Sequence, residues 1–596
     1  MRRHALTVVL LSLVALAPLA GAANDRKKLD VHSVKFVGNH EFSPDDLRSV
    51  MVTRPSGFLS HHYYNQKIFY NDLVSVLDYY QLNGYLQVQI IDTSVVIDSA
   101  QAQVDITITV DEGELTRIEA ISFFGNRFFS DSTLRKMVPL KSGGPFRRNE
   151  VQNGQLSILG AYADSGFLNA AVDPQTRIGA TAHVADVDFD ITEGGRCTIA
   201  DIQIQGLTRT HRNVIMRELE FKKGDIVRYA KLLNSQRRIY MTGLFESVFV
   251  RPKSVDTAHP TQKIILIELK ERQSSEFGVL LGYGSIEKVK GELQLMTDNL
   301  AGTGRKLGGS VNANFINRGA TLSFSEPWTF GTRWRTDINL YDQYLTEPGF
   351  NLYHYGTKVE VGRTFGQHSS VSFSYVFENA QLSHVEVTDT LKYFNPKTRS
   401  LMLKYVRDTR DNLFNPLSGT YLEATQEIAG GIFQGNNNYT RTIVQGKWFH
   451  RLGRQIVFAS GIELGTVQPF GTSTDIALSE RFYAGGPTSI RSYNYQKVGP
   501  LDPNGEPLGG RIELVWHLAE FRLQVYKMFG MVGFVDVGNI WSGISSVRIS
   551  HMAVAAGPGL RVNTPVGLLR LDWGINPDHR GDQAPSKLYF GMGQAF

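Results

Sequence analysis

The chain is 596 residues long, which allows several domains or one very large one. Charged residues make up 20% of it, and the mean hydropathy is -0.18. These values exclude an ordinary helical membrane protein and a disordered chain. The single cysteine, Cys197, excludes a disulfide framework and a multi-cysteine metal site. A formal net charge of +5 is too small to indicate nucleic-acid binding.

The N-terminal 22 residues have the pattern of a secretory signal peptide. Arg2 and Arg3 form a basic start, an apolar run follows to Ala17, and Ala22 ends a small-residue cleavage site. An uncleaved anchor is the alternative, but the run is shorter than the roughly 18–20 residues that a spanning helix needs. We therefore expect an exported protein with residues 1–22 removed.

Composition changes sharply near residues 271–272. Only 17 of the 57 glycines precede this point, whereas 40 follow it, and all six tryptophans lie in the second part. A change of this size indicates two different architectures.

The first part contains three similar repeats. An apolar strand that ends in glycine recurs at Gly38, Gly125 and Gly206, and each is followed by two helical segments and an alternating strand. This pattern predicts three β-α-α-β-β modules of α+β fold, at residues 31–114, 116–195 and 197–272. One irregular α+β domain is the alternative.

The second part, residues 274–596, alternates apolar and polar residues between turn-forming segments. Val371, Phe373, Tyr375 and Phe377 share one parity, with polar residues between most of them. One face suits lipid and the other water, and strands in a membrane must close so that no edge is unpaired. We predict an all-β transmembrane barrel of about sixteen strands, with a soluble sandwich or propeller as the alternative.

The last strand is predicted over residues 587–596. Leu588, Phe590, Met592 and Phe596 lie on one parity and end in an aromatic residue. An exported, strand-rich chain with this ending is typical of outer-membrane barrels.

Several motifs give the chain a family resemblance. The segment 481–486 followed by Ile490–Tyr493 resembles a loop signature usually written V-R-G-Y, and residues 534–538 resemble its F-x-D-x-G strand motif. Residues 408–411 and 325–328 are further similar stretches. The mature chain thus resembles the BamA/TamA superfamily of outer-membrane assembly proteins. The resemblance implies POTRA modules in the periplasm before a sixteen-strand barrel in the outer membrane, and three modules fit the TamA branch best.

The sequence departs from the family pattern at two positions. Ser492 stands where glycine is usual, so a positive φ at this position would impose strain. Gln594 stands where an apolar or aromatic residue is common.

The loop signature is the main candidate site. A barrel of about sixteen strands is too wide for side chains alone to fill, and the resemblance implies that the loop enters the lumen. Its candidate residues are Gly485, Gly486, Ile490, Arg491, Ser492 and Tyr493. The arginine needs a carboxylate partner. Asp536 is the first candidate and Glu520 the second, although strict alternation turns Glu520 toward lipid unless a bulge intervenes. Arg491 either acts in function or only braces the loop.

The resemblance also implies a weak seam between the first barrel strand, about Ser275–Gly284, and the last. Its residues are Ser275, Gly284, Gly591, Gly593 and Phe596, and the two glycines of the last strand lower its β-propensity. An incoming strand pairs with such an open edge. The glycines alternatively allow a close approach of neighbouring aromatic rings.

The expected function is therefore non-enzymatic: TamA-like folding and insertion of β-barrel proteins such as autotransporters. The expected partners are the lipid bilayer, the substrate barrels and a TamB-like protein anchored in the inner membrane. No cofactor, metal or nucleic acid is implied. A two-partner secretion pore that exports a large β-helical protein is the alternative. An enzyme is a weaker one, because the sequence shows no catalytic motif.

Overall fold

The computed structural model describes residues 29–57, 60–179, 183–256, 258–388, 395–526, 528–565, 567–577 and 584–596. The predicted signal peptide lies outside the described residues. Within the described part of the chain, no helix has both the length and the hydropathy that crossing a membrane requires.

The N-terminal part forms three modules with the same order of elements, as the repeats predict. The first has β1 (Asp30–Val37), α1 (Pro44–Ser49), α2 (Gln66–Leu82), β2 (Gln89–Asp98) and β3 (Gln103–Asp111). The second has β4 (Arg117–Phe124), α3 (Asp131–Met137), α4 (Arg148–Asp164), β5 (Ala171–Ile178) and β6 (Val184–Thr192). The third has β7 (Thr198–Gln205), α5 (Arg212–Met216), α6 (Tyr229–Met241), β8 (Phe245–Ser254) and β9 (Gln262–Glu271).

Each module contains a three-stranded sheet in which its last strand is central. The strand orders are β1-β3-β2, β4-β6-β5 and β7-β9-β8. The glycine that ends each first strand has a positive φ, between 80° and 90°. A Cβ there would overlap the backbone carbonyl of the central strand. The recurring glycine of the sequence is therefore required by both conformation and space.

A glutamate that the sequence patterns did not reveal fixes the loop after this glycine. In the first module the Glu112 carboxylate accepts hydrogen bonds from the backbone N–H of Glu41 at 3.1 Å and from the Tyr80 hydroxyl at 2.8 Å. In the second, the Glu193 carboxylate accepts one from the Tyr162 hydroxyl at 2.8 Å and two from backbone N–H groups of the corresponding loop. Each carboxylate thus ties the central strand to the loop and to the second helix.

The third module keeps the glutamate and changes its partners. Ile239 is buried where the first two modules have tyrosine. The Glu271 carboxylate instead accepts hydrogen bonds from the Thr208 hydroxyl and from the backbone N–H groups of Thr208, Arg209 and Thr210. Burial acts to raise the pKa of Glu271, but these hydrogen bonds outweigh it and hold the pKa at about 2.

The C-terminal part is one antiparallel sheet of sixteen strands, which confirms the predicted fold class. The strands are β10 (Ser275–Gly284), β11 (Lys288–Leu300), β12 (Arg305–Ala313), β13 (Asn317–Glu326), β14 (Arg335–Glu347), β15 (Phe350–Phe365), β16 (Ser369–Ser383), β17 (Lys397–Asp408), β18 (Gly419–Ala429), β19 (Tyr439–Arg451), β20 (Ile456–Pro469), β21 (Ile512–Tyr526), β22 (Phe529–Trp541), β23 (Ala553–Thr564), β24 (Gly567–Ile575) and β25 (Ser586–Met592).

The alternation along the barrel strands separates an outer face from the lumen. Phe373, Tyr375 and Phe377 of β16 are exposed, as a lipid-facing row requires, while Ser374 between them is buried. The described strand β25 is shorter than predicted: it ends at Met592, so residues 593–596 do not continue the last strand.

We expect protonation of Glu271 to loosen the third module. The unfolded pKa is near 4.5 and the folded pKa is about 2. The stabilisation by the carboxylate is therefore complete above pH 4.5 and is lost as the pH falls toward 2. Hydrogen exchange at residues 206–211 of the full chain, corrected for intrinsic rates, should show about tenfold less protection at pH 3.5 than at pH 6.5. Glu271→Gln should be poorly protected at both pH values, and a wild-type pH profile in this variant would contradict the assignment.

Candidate functional site in the barrel lumen

A long connection, residues 470–511, joins β20 to β21 and folds back on itself. Isolated bridges pair Phe482 with Gly510, Ala484 with Val498, and Leu501 with Pro507. These three bridges hold the two halves of the connection against each other. This segment, which we call the lumenal loop, contains all of the predicted loop-signature residues.

The lumenal loop is held by an apolar core as well as by its own pairing. Ile490, Tyr493 and Val498 are buried in one cluster with Val515 of β21 and Ile540 of β22. A second cluster joins Leu478 of the loop to residues of β15 and β16. The loop is therefore packed against strands from well-separated positions in the sheet.

Arg491 is completely buried, with a relative exposure of 0%. Its guanidinium forms a two-point pair with Asp536, with Nε to Oδ2 at 2.7 Å and Nη2 to Oδ1 at 2.8 Å. The third nitrogen, Nη1, donates to Oε2 of Glu520 at 2.7 Å. The structure thus brings together Arg491 and both of its candidate partners. A planar guanidinium held on two sides by carboxylates has a fixed position and orientation.

All three fixed positions of the F-x-D-x-G strand motif contact the lumenal loop. The Phe534 ring lies under the guanidinium, with its centroid 3.5 Å from Cζ of Arg491, and Asp536 pairs with the same group. At Gly538, a Cβ would lie 3.1 Å from the side chain of Ile490. The motif therefore combines a cation–π contact, an ion pair and a close approach.

Glu520 faces the lumen because the strand contains an irregularity. The pairing of β21 with β22 shifts register between His517 and Ala519, so that Leu518 is the extra residue. One extra residue exchanges the two faces of a strand. Glu520 is consequently buried at 0% exposure, whereas strict alternation from Trp516 would turn it to the lipid.

The ion pair extends into a larger group that the sequence patterns did not reveal. The lumenal ion cluster consists of Arg491, Arg522, Arg561, Arg570, Glu520, Asp536 and Asp572, all buried. Arg522 Nε donates to Glu520 at 2.8 Å and Arg561 Nη1 donates to Asp572 at 2.6 Å. With four arginines and three carboxylates, the cluster has a formal net charge of +1. The bulge in β21 conceals the inward parity of Glu520 and Arg522, and strand alternation alone does not show that Arg561 and Arg570 meet Asp572.

Ser492 does not carry the strain that a positive φ would cause. Within residues 485–496, positive φ values belong to Gly485 (109°), Gly486 (110°) and Gln496 (62°), but not to Ser492. Ser492 is fully buried, and the hydroxyl of the neighbouring Tyr493 donates to Asn576 at 3.1 Å. Serine is therefore tolerated by the backbone here, and its buried hydroxyl has no hydrogen-bond partner among the described residues.

Gly574 of β24 determines how closely the loop approaches the barrel wall. A Cβ at this position would overlap the backbone carbonyl of Arg491 and would also crowd the backbone nitrogen of Ser492. A side chain of any size would therefore push the loop signature away from the wall.

Arg441 of β19 anchors the other side of the lumenal loop. Its Nη2 donates to Glu480 Oε2 at 2.5 Å and to the Glu480 backbone carbonyl at 2.7 Å, while Nη1 donates to Glu427 at 3.2 Å. The loop is thus held by charged contacts at Glu480, before the signature, and at Arg491, within it.

The last four residues turn into the lumen, which corrects the predicted strand over 587–596. Gly593 has a φ of 82°, and the chain leaves the sheet there. The Phe596 ring stacks on His517, with centroids 4.3 Å apart and planes 3° apart. His517 in turn contacts Asp536 at 2.8 Å. Phe596 therefore lies beside the lumenal ion cluster and not on the lipid-facing parity, because the positive φ at Gly593 redirects the chain.

The two ends of the sheet, β10 and β25, meet over a very short contact. Among the described residues they form no ladder. The Ser285 backbone N–H donates to the Phe590 carbonyl at 3.1 Å, and the Phe590 N–H donates to the Ser285 hydroxyl at 2.6 Å. Ser275 and Gly284 begin and end β10. Most of this edge therefore has no ladder partner.

The two glycines of the last strand have different surroundings. A Cβ at Gly591 would lie 3.1 Å from Nε of Arg570, so this position accommodates a guanidinium rather than an aromatic ring. A Cβ at Gly593 would meet nothing within 4 Å, and its positive φ explains the glycine.

Comparison with known proteins identifies the family. A profile of the Omp85 superfamily domain matches residues 299–596. The chain belongs to the Omp85 superfamily. POTRA repeats, described as surface antigen variable number repeats, match residues 29–113, 116–194 and 197–272. The family that the loop and strand motifs predict is thus confirmed.

The relatives of this Omp85 chain include outer membrane protein assembly factors. BamA of Nitratidesulfovibrio vulgaris is 24% identical over 616 aligned positions, which cover 98% of this chain and 75% of that protein. BamA of Neisseria meningitidis serogroup B is 23% identical and covers 87% of this chain and 69% of that protein. The crystal structure of BamA from Haemophilus ducreyi lacking POTRA domains 1–3 has a TM-score of 0.69 at 17% identity and covers 81% and 99% of the two chains.

These findings place the barrel in the outer membrane and the three POTRA modules in the periplasm. The predicted location is confirmed.

We expect Gly574→Ala to displace the lumenal loop. The added methyl group overlaps the Arg491 backbone, and such overpacking costs about 1–3 kcal/mol. Thermal unfolding of the purified barrel should shift downward, and an extracellular protease should cut within 470–511 more readily. Gly533→Ala in β22 is the matched control, because a Cβ there meets nothing within 4 Å. Equal behaviour of the two variants would contradict the close approach.

Proposed function

We propose that this protein is an outer-membrane assembly factor of TamA-like type, which helps β-barrel proteins such as autotransporters to fold and insert. The observation that carries the proposal is the seam between β10 and β25. The chain's relatives named as outer membrane protein assembly factors support the general role. The restriction to autotransporters and similar substrates rests on the three-module organisation.

The edge of β10 can act as a template for an incoming strand. One side of β10 pairs with β11 along all ten residues from Ser275 to Gly284. Among the described residues, the other side makes hydrogen bonds to β25 next to Gly284, at Ser285, and the Tyr283 ring packs beside Phe590 with the ring centroids 5.9 Å apart. Unpaired backbone N–H and C=O groups are costly in a membrane, so a substrate strand that pairs with them gains hydrogen bonds.

The inward turn of the tail keeps this edge open. Because β25 ends at Met592, the last four residues cannot extend its contact with β10. The tail is held in the lumen by Phe596 on His517 and by Gln594, which accepts from Arg561 at 3.1 Å. The contact between β10 and β25 is therefore short because the tail is held in the lumen. Arg561 of the lumenal ion cluster helps to hold it there.

The proposed partners are substrate barrels, the lipid bilayer and a TamB-like protein anchored in the inner membrane. No catalytic role is proposed for any residue. The free energy of substrate folding, or the TamB-like partner, supplies the driving force, because strand pairing and lipid burial are favourable by themselves.

Depletion followed by quantitative proteomics tests the proposed function. Outer-membrane and culture-supernatant fractions should be compared before and after depletion. We expect selective loss of other barrels or autotransporters from the membrane fraction. Loss of one large secreted protein with intact membrane barrels would contradict the proposal and would favour a two-partner secretion pore.

We expect Arg491→Ala to leave a membrane-inserted barrel with impaired assembly. Removing the guanidinium leaves Asp536 and Glu520 buried without compensation, which typically costs about 3–5 kcal/mol and favours release of the lumenal loop. Substrate levels in the outer membrane should fall while the level of the variant itself is maintained. Arg454→Ala, in the turn between β19 and β20, is the control. Normal substrate levels in the Arg491 variant would show that the arginine only braces the loop.

A further inference from the structure

A second polar site lies in the lumen, next to the ion cluster but with the opposite charge. A cavity of about 320 Å³ is bounded by β19, β20 and β21, by the lumenal loop and by the C-terminal tail. Its lining includes Glu463, Glu513, Lys447, Ser489 and Phe596. The proposed assembly mechanism uses Phe596 and His517 of this lining but neither of its two glutamates.

Glu513 is the residue of the cavity that most strongly indicates a bound ligand. It is only 8% exposed, and its carboxylate has no hydrogen bond or ion pair to any residue that the structure describes. The carboxylate oxygens retain contact with the cavity, since they are not among the fully enclosed unpartnered atoms. Burying an ionised carboxylate without a partner is costly, so such a group is stabilised either by protonation or by a cation beside it.

Glu463 adds a second carboxylate to the same space. It pairs in register with Val515, which places it diagonally across from Glu513 on the lumenal face of two neighbouring strands. Side chains in this diagonal relation reach each other. The Glu463 carboxylate accepts one hydrogen bond, from the Gln445 amide at 2.7 Å, and this neutral partner does not balance its charge.

Lys447 lines the cavity without neutralising either glutamate. Among the described residues it forms no ion pair within 4 Å, and its Nζ lies 5.6 Å from the centroid of the Tyr421 ring. Among the described residues, neither carboxylate is therefore held in an ion pair within 4 Å, and Lys447 acts on Glu463 only at longer range.

The remaining walls favour an organic cation over a bare metal ion. Phe596 contributes apolar surface to the wall, while His517 stacks on its ring, and an organic cation carries an apolar stem that such a wall contacts. The volume accommodates a group larger than a metal ion. Within the described residues, no set of three or more His, Cys, Asp or Glu side chains is arranged for a metal.

We propose that this cavity binds a guanidinium or primary ammonium group, with Glu513 as the main acceptor and Glu463 as the second. The group is either a free small cation or a basic side chain of a polypeptide segment in the lumen. The proposal does not depend on the assembly function.

Equilibrium dialysis of the purified full chain in detergent tests the proposal. Labelled agmatine serves as the free cation, and the peptide acetyl-Gly-Arg-Gly-amide serves as the side-chain form. N-carbamoylputrescine, in which a neutral urea replaces the guanidinium, controls for charge. Glu513→Gln removes the acceptor, and Glu292→Gln in β11 is the matched control, because Glu292 does not line the cavity.

We expect agmatine to bind at one site and Glu513→Gln to weaken it about tenfold or more, since a hydrogen-bonded charge pair is lost. Glu292→Gln should bind as the wild type does. Binding of the peptide with the same dependence on Glu513 would assign the site to basic side chains, and binding of agmatine alone would assign it to free cations.

Three results would overturn the proposal. The first is equal agmatine binding by the wild type and Glu513→Gln. The second is calcium binding that Glu513→Gln abolishes in a protein that does not bind agmatine. The third is agmatine binding only after Lys447→Met, because the lysine itself would then be the counter-ion.

Discussion

The burial of one arginine imposes the main constraint on the barrel. A guanidinium at 0% exposure is stable only if fixed carboxylates surround it, and Asp536 and Glu520 hold Arg491 on two sides. To satisfy this group the lumenal loop must stay in the lumen, β21 must bulge so that Glu520 points inward, and β24 must lack a side chain at Gly574. The position of the lumenal loop, the bulge in β21 and the glycine at position 574 thus all accommodate the buried charge of Arg491.

The same group of residues connects the loop to the seam. His517 contacts Asp536 of the ion cluster and also stacks on the Phe596 ring, so it connects the ion cluster to the C-terminal tail. A tail held in the lumen cannot lengthen β25, and a short β25 leaves the edge of β10 without a ladder partner. The structure therefore explains why a barrel of sixteen strands closes over so small a contact. It also explains how Arg491 of the lumenal loop is connected to the seam between β10 and β25.

The sequence predicted the repeated modules and the barrel, because glycine positions and period-two alternation are local properties of the chain. The residues of the loop signature came from the family resemblance. The sequence did not predict the tail, since the outward parity of Phe596 is overridden by the positive φ at Gly593. Nor did it reveal Arg561 or Asp572, whose significance comes from their pairing between neighbouring strands and from the approach of Arg491 to Asp572 at 3.8 Å. The glutamates of the modules were missed for the same reason: Glu271 is one of many acidic residues until its backbone partners are known.

A disulfide across the seam tests the central claim most directly. Ser285→Cys and Phe590→Cys, in a Cys197→Ser background, place two thiols where β10 and β25 touch, and Leu293→Cys with Val311→Cys provides a control pair within the continuous ladder of β11 and β12. The account predicts that oxidation of the seam pair stops assembly of substrate barrels, that reduction restores it, and that the control pair has no effect. Full assembly activity in the oxidised seam variant would contradict the claim that substrates enter at this edge.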